Sequence, residues 1–248
     1  MMLACLAPGH DGGWVARHPA TPTRAEATAS RRRPLTFDPG QLLEALCKEM
    51  DAAIEASLGG EHDLRFRNAF ILATATLTGL RRRNLREMRL GTNLVCIRSG
   101  WRIDFSAAEM KTKWPVVLDW PTALLRYLVH YLDRVRPRLI GSDATDVPWV
   151  FLVRGGGPIA DPTMAQIFEK TSVALYGRAL HAHSIRYTEA TTLLARMPHA
   201  VDLAGAALGH RGNQTVIKFY DQGTTTVANR VWMVLQTRIR QARDEGDR

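Results

Sequence analysis

Cysteine is scarce. The 248 residues hold three, Cys5, Cys47 and Cys96, far apart and in no CxxC pair. That spacing excludes a disulfide framework and a paired-cysteine zinc site, and it fits a reducing compartment. Long apolar runs are missing as well: no stretch approaches the roughly 18 residues that a membrane span requires. The opening MMLACLAPGHDGGW has an apolar patch with no basic residues ahead of it, so it is not read as a signal peptide. Acids are outnumbered, 24 against 33 Lys and Arg. They form no carboxylate cluster, and HExxH is absent, so neither a metal nor another cofactor is expected.

What is present is a core and a positive charge. Hydrophobic residues make up 46% of the chain, enough to bury a real interior. The net charge of +9 calls for an anionic partner, nucleic acid first and an acidic membrane surface second. The membrane reading needs a basic amphipathic segment with exposed aromatics, and only the C-terminal tail is a candidate. No membrane association is therefore expected.

Residues 1–34 are rich in Gly, Pro, Ala, Thr and Arg and show no apolar periodicity. They carry five arginines and two acids and end in SRRRP. This stretch reads as a flexible basic arm. From residue 35 to 248 the pattern is that of one folded domain. FDPGQLLEALCKEMDAAIEA has helical spacing behind an Asp-Pro start. LRFRNAFILATATLTGL is a second helix, with Phe66, Phe70, Ala73, Leu77 and Leu80 on one face. Residues 93–98, 101–106 and 114–120 read as three strands of a small antiparallel sheet. PTALLRYLVHYLDRVR follows as a helix with Leu124, Leu125, Leu128 and Leu132 on one stripe. WVFLVRGGGPI is a short extended piece, and DPTMAQIFEKTSVALYG repeats the Asp-Pro start. Helical stretches are expected at 183–196, 200–208 and 213–221, and a tail helix at about 226–244. The fold class is mainly α with a small antiparallel β-sheet.

Six residues stand out in order along this frame. TGLR gives Arg81 just after a buried helix. MKTK gives Lys111 in the turn between strands two and three, with Lys113 a close competitor. HSIR gives His183 and Arg186, three apart and on one helix face, with His181 two residues ahead of His183. LGH gives His210. KFY gives Tyr220: of the Phe219–Tyr220 pair, one faces the core and the other the site.

The runs TGLRRRNLREMRL, MKTKWPVVLDW, HSIRYTEATTLLA and LGHRGNQTVIKFYDQ, spanning roughly residues 36–222, resemble the catalytic domain of the tyrosine recombinases, the phage-integrase family. The resemblance implies a site-specific recombinase acting on double-stranded DNA. Tyr220 would attack the scissile phosphate and form a 3′-phosphotyrosyl link. Arg81 and Arg186 would clamp the non-bridging oxygens, and Lys111 would protonate the leaving 5′-oxygen. His183 would serve the tyrosine as acid-base partner, and His210 would donate to the phosphate. The chemistry suits these residue types. Guanidiniums match phosphate oxygens bidentately and stay charged. A phenol that ionises near pH ~10 needs a base or a strongly cationic site to act near neutrality. A covalent link conserves bond energy, so strands can be rejoined without ATP, and the absence of a metal cage is consistent with a metal-free mechanism.

The chain also departs from the family pattern. Asn84 stands where glutamate is usual, and Tyr187 where histidine is common. The helical core-binding domain that usually precedes the catalytic domain is apparently absent. Half a clamp neutralises fewer phosphates, so a partner recombinase or accessory DNA-binding protein is a natural expectation, as is a homo-oligomer on DNA. In the tail, Val231, Val234, Leu235 and Ile239 form an apolar face for its own domain or a neighbouring protomer. A cytoplasmic, nucleoid-associated location follows. The alternative function is a non-recombining DNA-binding accessory or regulatory protein of the same ancestry. Type IB topoisomerases share related chemistry, but the LGH…Y spacing and short chain look more like integrases.

Overall fold

Aspartate 38 starts the first helix. Its carboxylate accepts from the Gly40 and Gln41 amides at 2.7 and 3.3 Å, and Pro39 takes the first helical position. A cap of this kind stabilises a helix by about 1 kcal/mol. The computed structural model describes residues 37–56, 59–111, 113–142, 146–186, 188 and 232–236. All lie within the unit Thr36–Arg248. The helices are α1 (Pro39–Glu55), α2 (Glu61–Thr78) and α3 (Arg82–Glu87). A three-stranded sheet follows: β1 (Leu94–Ile97), β2 (Gly100–Phe105) and β3 (Val116–Asp119). Then come a 3-10 turn (Thr122–Leu124), α4 (Leu125–His130), a π turn (Tyr131–Val135), α5 (Arg136–Ile140) and α6 (Asp161–Tyr176). This is the expected mainly helical fold with one small antiparallel sheet.

Helix α2 is the centre of the domain, and its burial is wider than a single stripe. Phe66, Phe70, Ala73, Leu77 and Leu80 are buried, but so are Ala69, Ile71, Leu72 and Ala75 on its other sides. A helix apolar all round belongs in the middle of a core. The buried threonines fit there because each hydroxyl donates to a carbonyl one turn back: Thr74 to Phe70, Thr76 to Leu72, Thr78 to Thr74, at 2.6–2.8 Å. Helices α1 and α6 pack on α2, and α6 also meets α1 and α3. The Asp38 amide donates to the Tyr176 hydroxyl at 3.0 Å, tying the start of α1 to the end of α6.

The sheet runs β1–β2–β3, antiparallel throughout. Its register sets Leu94 beside Ile103 and Ile103 beside Leu118, while Phe105 pairs with Val116. All five side chains are buried on one face. This is the alternation expected of a sheet with one wet side.

Three sequence expectations need correction. Leu125 does not join the stripe of its helix; it is exposed, and the buried line is Leu124, Tyr127, Leu128, Tyr131, Val135 and Leu139. The helix also widens at Tyr131–Val135. Pro137 has no N–H to return to Asp133, and the turn before it loosens accordingly. In the tail, Trp232–Gln236 is helical, but Val234 faces water while Trp232 and Gln236 are buried. The Trp232 Nε1–H points to the Thr76 carbonyl of α2 at 3.4 Å. Val231 and Ile239 lie outside the described residues. So do most of the three stretches expected at 183–196, 200–208 and 213–221, of which residues 182–186 are helical.

Candidate active site

Arg81 stands at a break between two helices. Gly79 ends α2 with φ 60°, the left-handed conformation that glycine adopts without steric cost, and its amide donates to Ala75. Leu80 dives into the core. Arg81 is then extended (φ −68°, ψ 147°) and leads into α3. The chain thus turns from one helix to the next within three residues, and Arg81 is carried at the turn.

Its neighbours have carboxylate partners. Arg82 grips Asp161 of α6 with two bonds, at 3.1 and 2.7 Å. Arg83 and Arg86 both bond Glu87, at 2.8 and 2.6 Å, and Arg86 also approaches Asp161 at 3.9 Å. Among the described residues, no acid pairs with Arg81. Burial pulls its pKa down, which marks a guanidinium stripped of part of its water. A cation in that condition gains more than a solvated one from an incoming anion.

Arg186 comes to the same break from a distant part of the sequence. It lies on the helical residues 182–186, whose Ser184 and Ile185 are buried. The Ile185 amide donates to His181 at 3.2 Å. One Arg186 nitrogen, Nη1, donates to the Gly79 carbonyl, two residues before Arg81. The structure therefore brings Arg81 and Arg186 to one helix end. His183 is exposed one turn before Arg186; His181 is exposed as well.

Lys111 is exposed in the connection between β2 and β3, as expected. Met110, just before it, is buried and accepts an N–H···S contact of 3.2 Å from Asn84 of α3. Helix α3 thus links the Arg81 break to the Lys111 turn. Lys113 closes the turn by donating its amide to the Met110 carbonyl at 3.0 Å, with φ 59°. Both lysines are exposed. His210 and Tyr220 lie outside the described residues. Among the described residues no cluster of His, Cys, Asp and Glu is placed to hold a metal ion, and no helix is long and apolar enough to cross a membrane.

Sequence reasoning overlooked two parts of this arrangement. Asp161 was read only as a helix start, yet α6 has no side-chain cap and Asp161 instead holds Arg82. The buried Asn93 and the S-x-x-E spacing of Ser106 and Glu109 were also available as a turn signal.

A family-level comparison agrees with this frame. The model of the phage integrase family matches residues 41–225, and the chain belongs to that family. Two solved structures share the fold. One is the XerH site-specific recombinase bound to difH substrate as a pre-cleavage complex: TM-score 0.50, 17% identity, 73% of this chain and 49% of that one. The other is XerH bound to palindromic difH substrate as a post-cleavage complex: TM-score 0.54, 16% identity, 89% of this chain and 56% of that one. The chain spans about half the length of the recombinase chains it matches. A comparison with curated proteins finds no match.

Proposed function

We propose that the protein is a tyrosine-type site-specific recombinase that cuts and rejoins double-stranded DNA through a covalent 3′-phosphotyrosine, without metal or ATP. One observation carries this reading: Arg186 is anchored at the helix end that carries a half-buried Arg81, which has no acid partner among the described residues, while Arg82, Arg83 and Arg86 are tied to carboxylates. Two arginines carried at one helix end suit the two non-bridging oxygens of a phosphodiester.

The step balances as follows. The Tyr220 oxygen bonds to phosphorus and its proton passes to the His183 imidazole. The P–O5′ bond breaks, and Lys111 gives its proton to the leaving oxygen. The products are a phosphotyrosyl ester and a free 5′-hydroxyl. His210 donates to the phosphate as charge gathers on it. The tyrosine inventory supports Tyr220. Tyr127 and Tyr131 are buried, with burial raising both pKa values, and Tyr176 is engaged with Asp38. Those three belong to the scaffold, which leaves Tyr187 and Tyr220 of the five tyrosines.

Related proteins crystallised on DNA support DNA as the partner. The reading includes a homo-oligomer on that DNA, a basic arm over residues 1–34 that adds phosphate contacts, and a cytoplasmic, nucleoid-associated location. The test is a nicked suicide DNA from a sequence-permissive pool, scored for an SDS-resistant protein–DNA band. The band is expected with the wild type and lost with Tyr220→Phe. A band that survives Tyr220→Phe overturns the assignment. DNA binding without any band favours the accessory-protein alternative.

A further inference from the structure

We propose that Glu109 is a positioning residue for Lys111, holding the β2–β3 connection so that the lysine is presented at a fixed place beside the Arg81 break. The proposal rests on the reading of Lys111 as the proton donor to the leaving oxygen.

The carboxylate of Glu109 takes three hydrogen bonds from two residues, Ser106 and Asn93. Its Oε2 accepts from the Ser106 amide at 2.9 Å and from the Ser106 hydroxyl at 2.6 Å. The Glu109 amide donates back to the Ser106 carbonyl at 3.1 Å, so residues 106–109 close on themselves directly after β2. Its Oε1 accepts from Asn93 Nδ2 at 2.8 Å. Asn93 is 1% exposed and is a hub in its own right. It donates to the Asp104 carbonyl at 3.1 Å and accepts from the Arg89 amide at 3.0 Å. The carboxylate thus spans from the start of the connection to the buried side-chain amide of Asn93, just before β1.

Two residues further on is Lys111, and between them Met110 is held by Asn84 of α3. The connection is fixed on one side by Glu109 and at its root by Met110. The Lys111 side chain lies beyond both and has no partner among the described residues. Met110 is seated in the core and contacted there by Asn84. Phe105 is fixed by its pairing with Val116, and between it and Met110 the Glu109 carboxylate ties residues 106–109 to Asn93. Glu109 itself is exposed, so its contacts serve the shape of the connection more than the core. A fixed donor aimed at developing charge loses most of its value when it wanders.

Two measurements on Glu109→Gln test this. Gln keeps the size and one acceptor but puts an N–H2 where the other oxygen accepted. The first uses DNA with sulfur in place of the bridging 5′-oxygen. A thiolate leaves without protonation, because thiols ionise near pH ~8.5. On ordinary DNA, Glu109→Gln is expected to cleave on the order of 10–100-fold more slowly. On the sulfur substrate, it and Lys111→Ala are both expected to return close to the wild-type rate. If Lys111→Ala recovers and Glu109→Gln does not, this proposal falls alone. If Lys111→Ala stays slow, the reading of Lys111 falls and takes this one with it. Unchanged cleavage of ordinary DNA by Glu109→Gln also overturns the proposal.

The second measurement needs no DNA. Trypsin cuts after Lys111 and Lys113, and cutting there is expected to speed up several-fold in Glu109→Gln relative to cutting after Arg98 in the β1–β2 turn. Equal acceleration at both places, with a lowered melting temperature, would show that Glu109 serves the whole domain and overturn the proposal. So would no acceleration.

Discussion

The Arg186 guanidinium donates to the carbonyl of Gly79 at the C-terminal end of α2. Carbonyls there lack helical partners and carry the negative end of the dipole. Arg186 satisfies one and is oriented by it. A lysine ammonium is a single point charge and cannot hold a carbonyl and a phosphate in one planar fork. Arg186→Lys should therefore keep the charge and lose the arrangement. Single-turnover DNA cleavage is expected to fall on the order of 100–1000-fold. DNA affinity, set by the number of phosphates neutralised, should change far less. Cleavage at the wild-type rate would sink the idea that this fork matters.

Gly79 is the second member of that pair and can be tested by itself. Its φ of 60° is the left-handed region, where an added Cβ costs roughly 1–2 kcal/mol. Gly79→Ala should lower the melting temperature by several degrees, at about 2–4 °C per kcal/mol for a chain of this size. The same strain acts on the Arg81 turn. Cleavage measured well below the melting temperature should thus fall by more than any loss of folded protein explains. Reduced stability with full activity would separate the glycine from the site.

The frame of the fold was legible because local signals agree with the tertiary structure. Asp38-Pro39 caps α1 as written, and the alternation through Ile103, Phe105, Val116 and Leu118 set the sheet. Sequence periodicity failed where neighbours decide. It could not tell that α2 is buried on every side from Ala69 onward, because its threonines satisfy themselves internally and read as polar. It turned Leu125 inward, although tyrosines 127 and 131 take the buried line. In the tail it put Val234 on the apolar face and left Trp232 out, although Trp232 is the buried one, against the Thr76 carbonyl of α2. At the site, the motif gave Arg81 and Arg186. That Arg82 is spoken for by Asp161, 79 residues away, is a long-range fact that no local pattern carries.

Glu109 also predicts a pH dependence of stability. Burial raises its pKa, but the hydrogen bonds from Ser106 and Asn93, with Arg89 nearby, lower it by more, and the net value is depressed. A depressed carboxylate contributes stability above its unfolded value of about 4.3 and loses it as pH falls through the folded value. The contribution is small because the residue is open to water. Urea midpoints of wild type and Glu109→Gln should differ at neutral pH, with the wild type more stable. They should converge as pH drops below about 4. A gap that stays constant into acid would mean that the carboxylate charge is not what the connection uses.

The tail supplies the last contrast, between two residues two positions apart. Trp232 is 0% exposed and sits against α2, whereas Val234 is 52% exposed. Removing a buried tryptophan side chain costs about 3–5 kcal/mol. At about 2–4 °C per kcal/mol, Trp232→Ala should lower the melting temperature by roughly ten degrees. Val234→Asp should stay within about 0.5 kcal/mol of wild type, as an exposed substitution does. Thermal unfolding of the two variants decides whether this helix is held by its own domain. If Trp232→Ala melts like wild type, the contact with Thr76 contributes nothing and the tail is free to act elsewhere. If Val234→Asp is the damaging one, the exposed face is covered in solution by something other than α2, and sedimentation of the wild type would reveal whether that cover is a second copy of the chain.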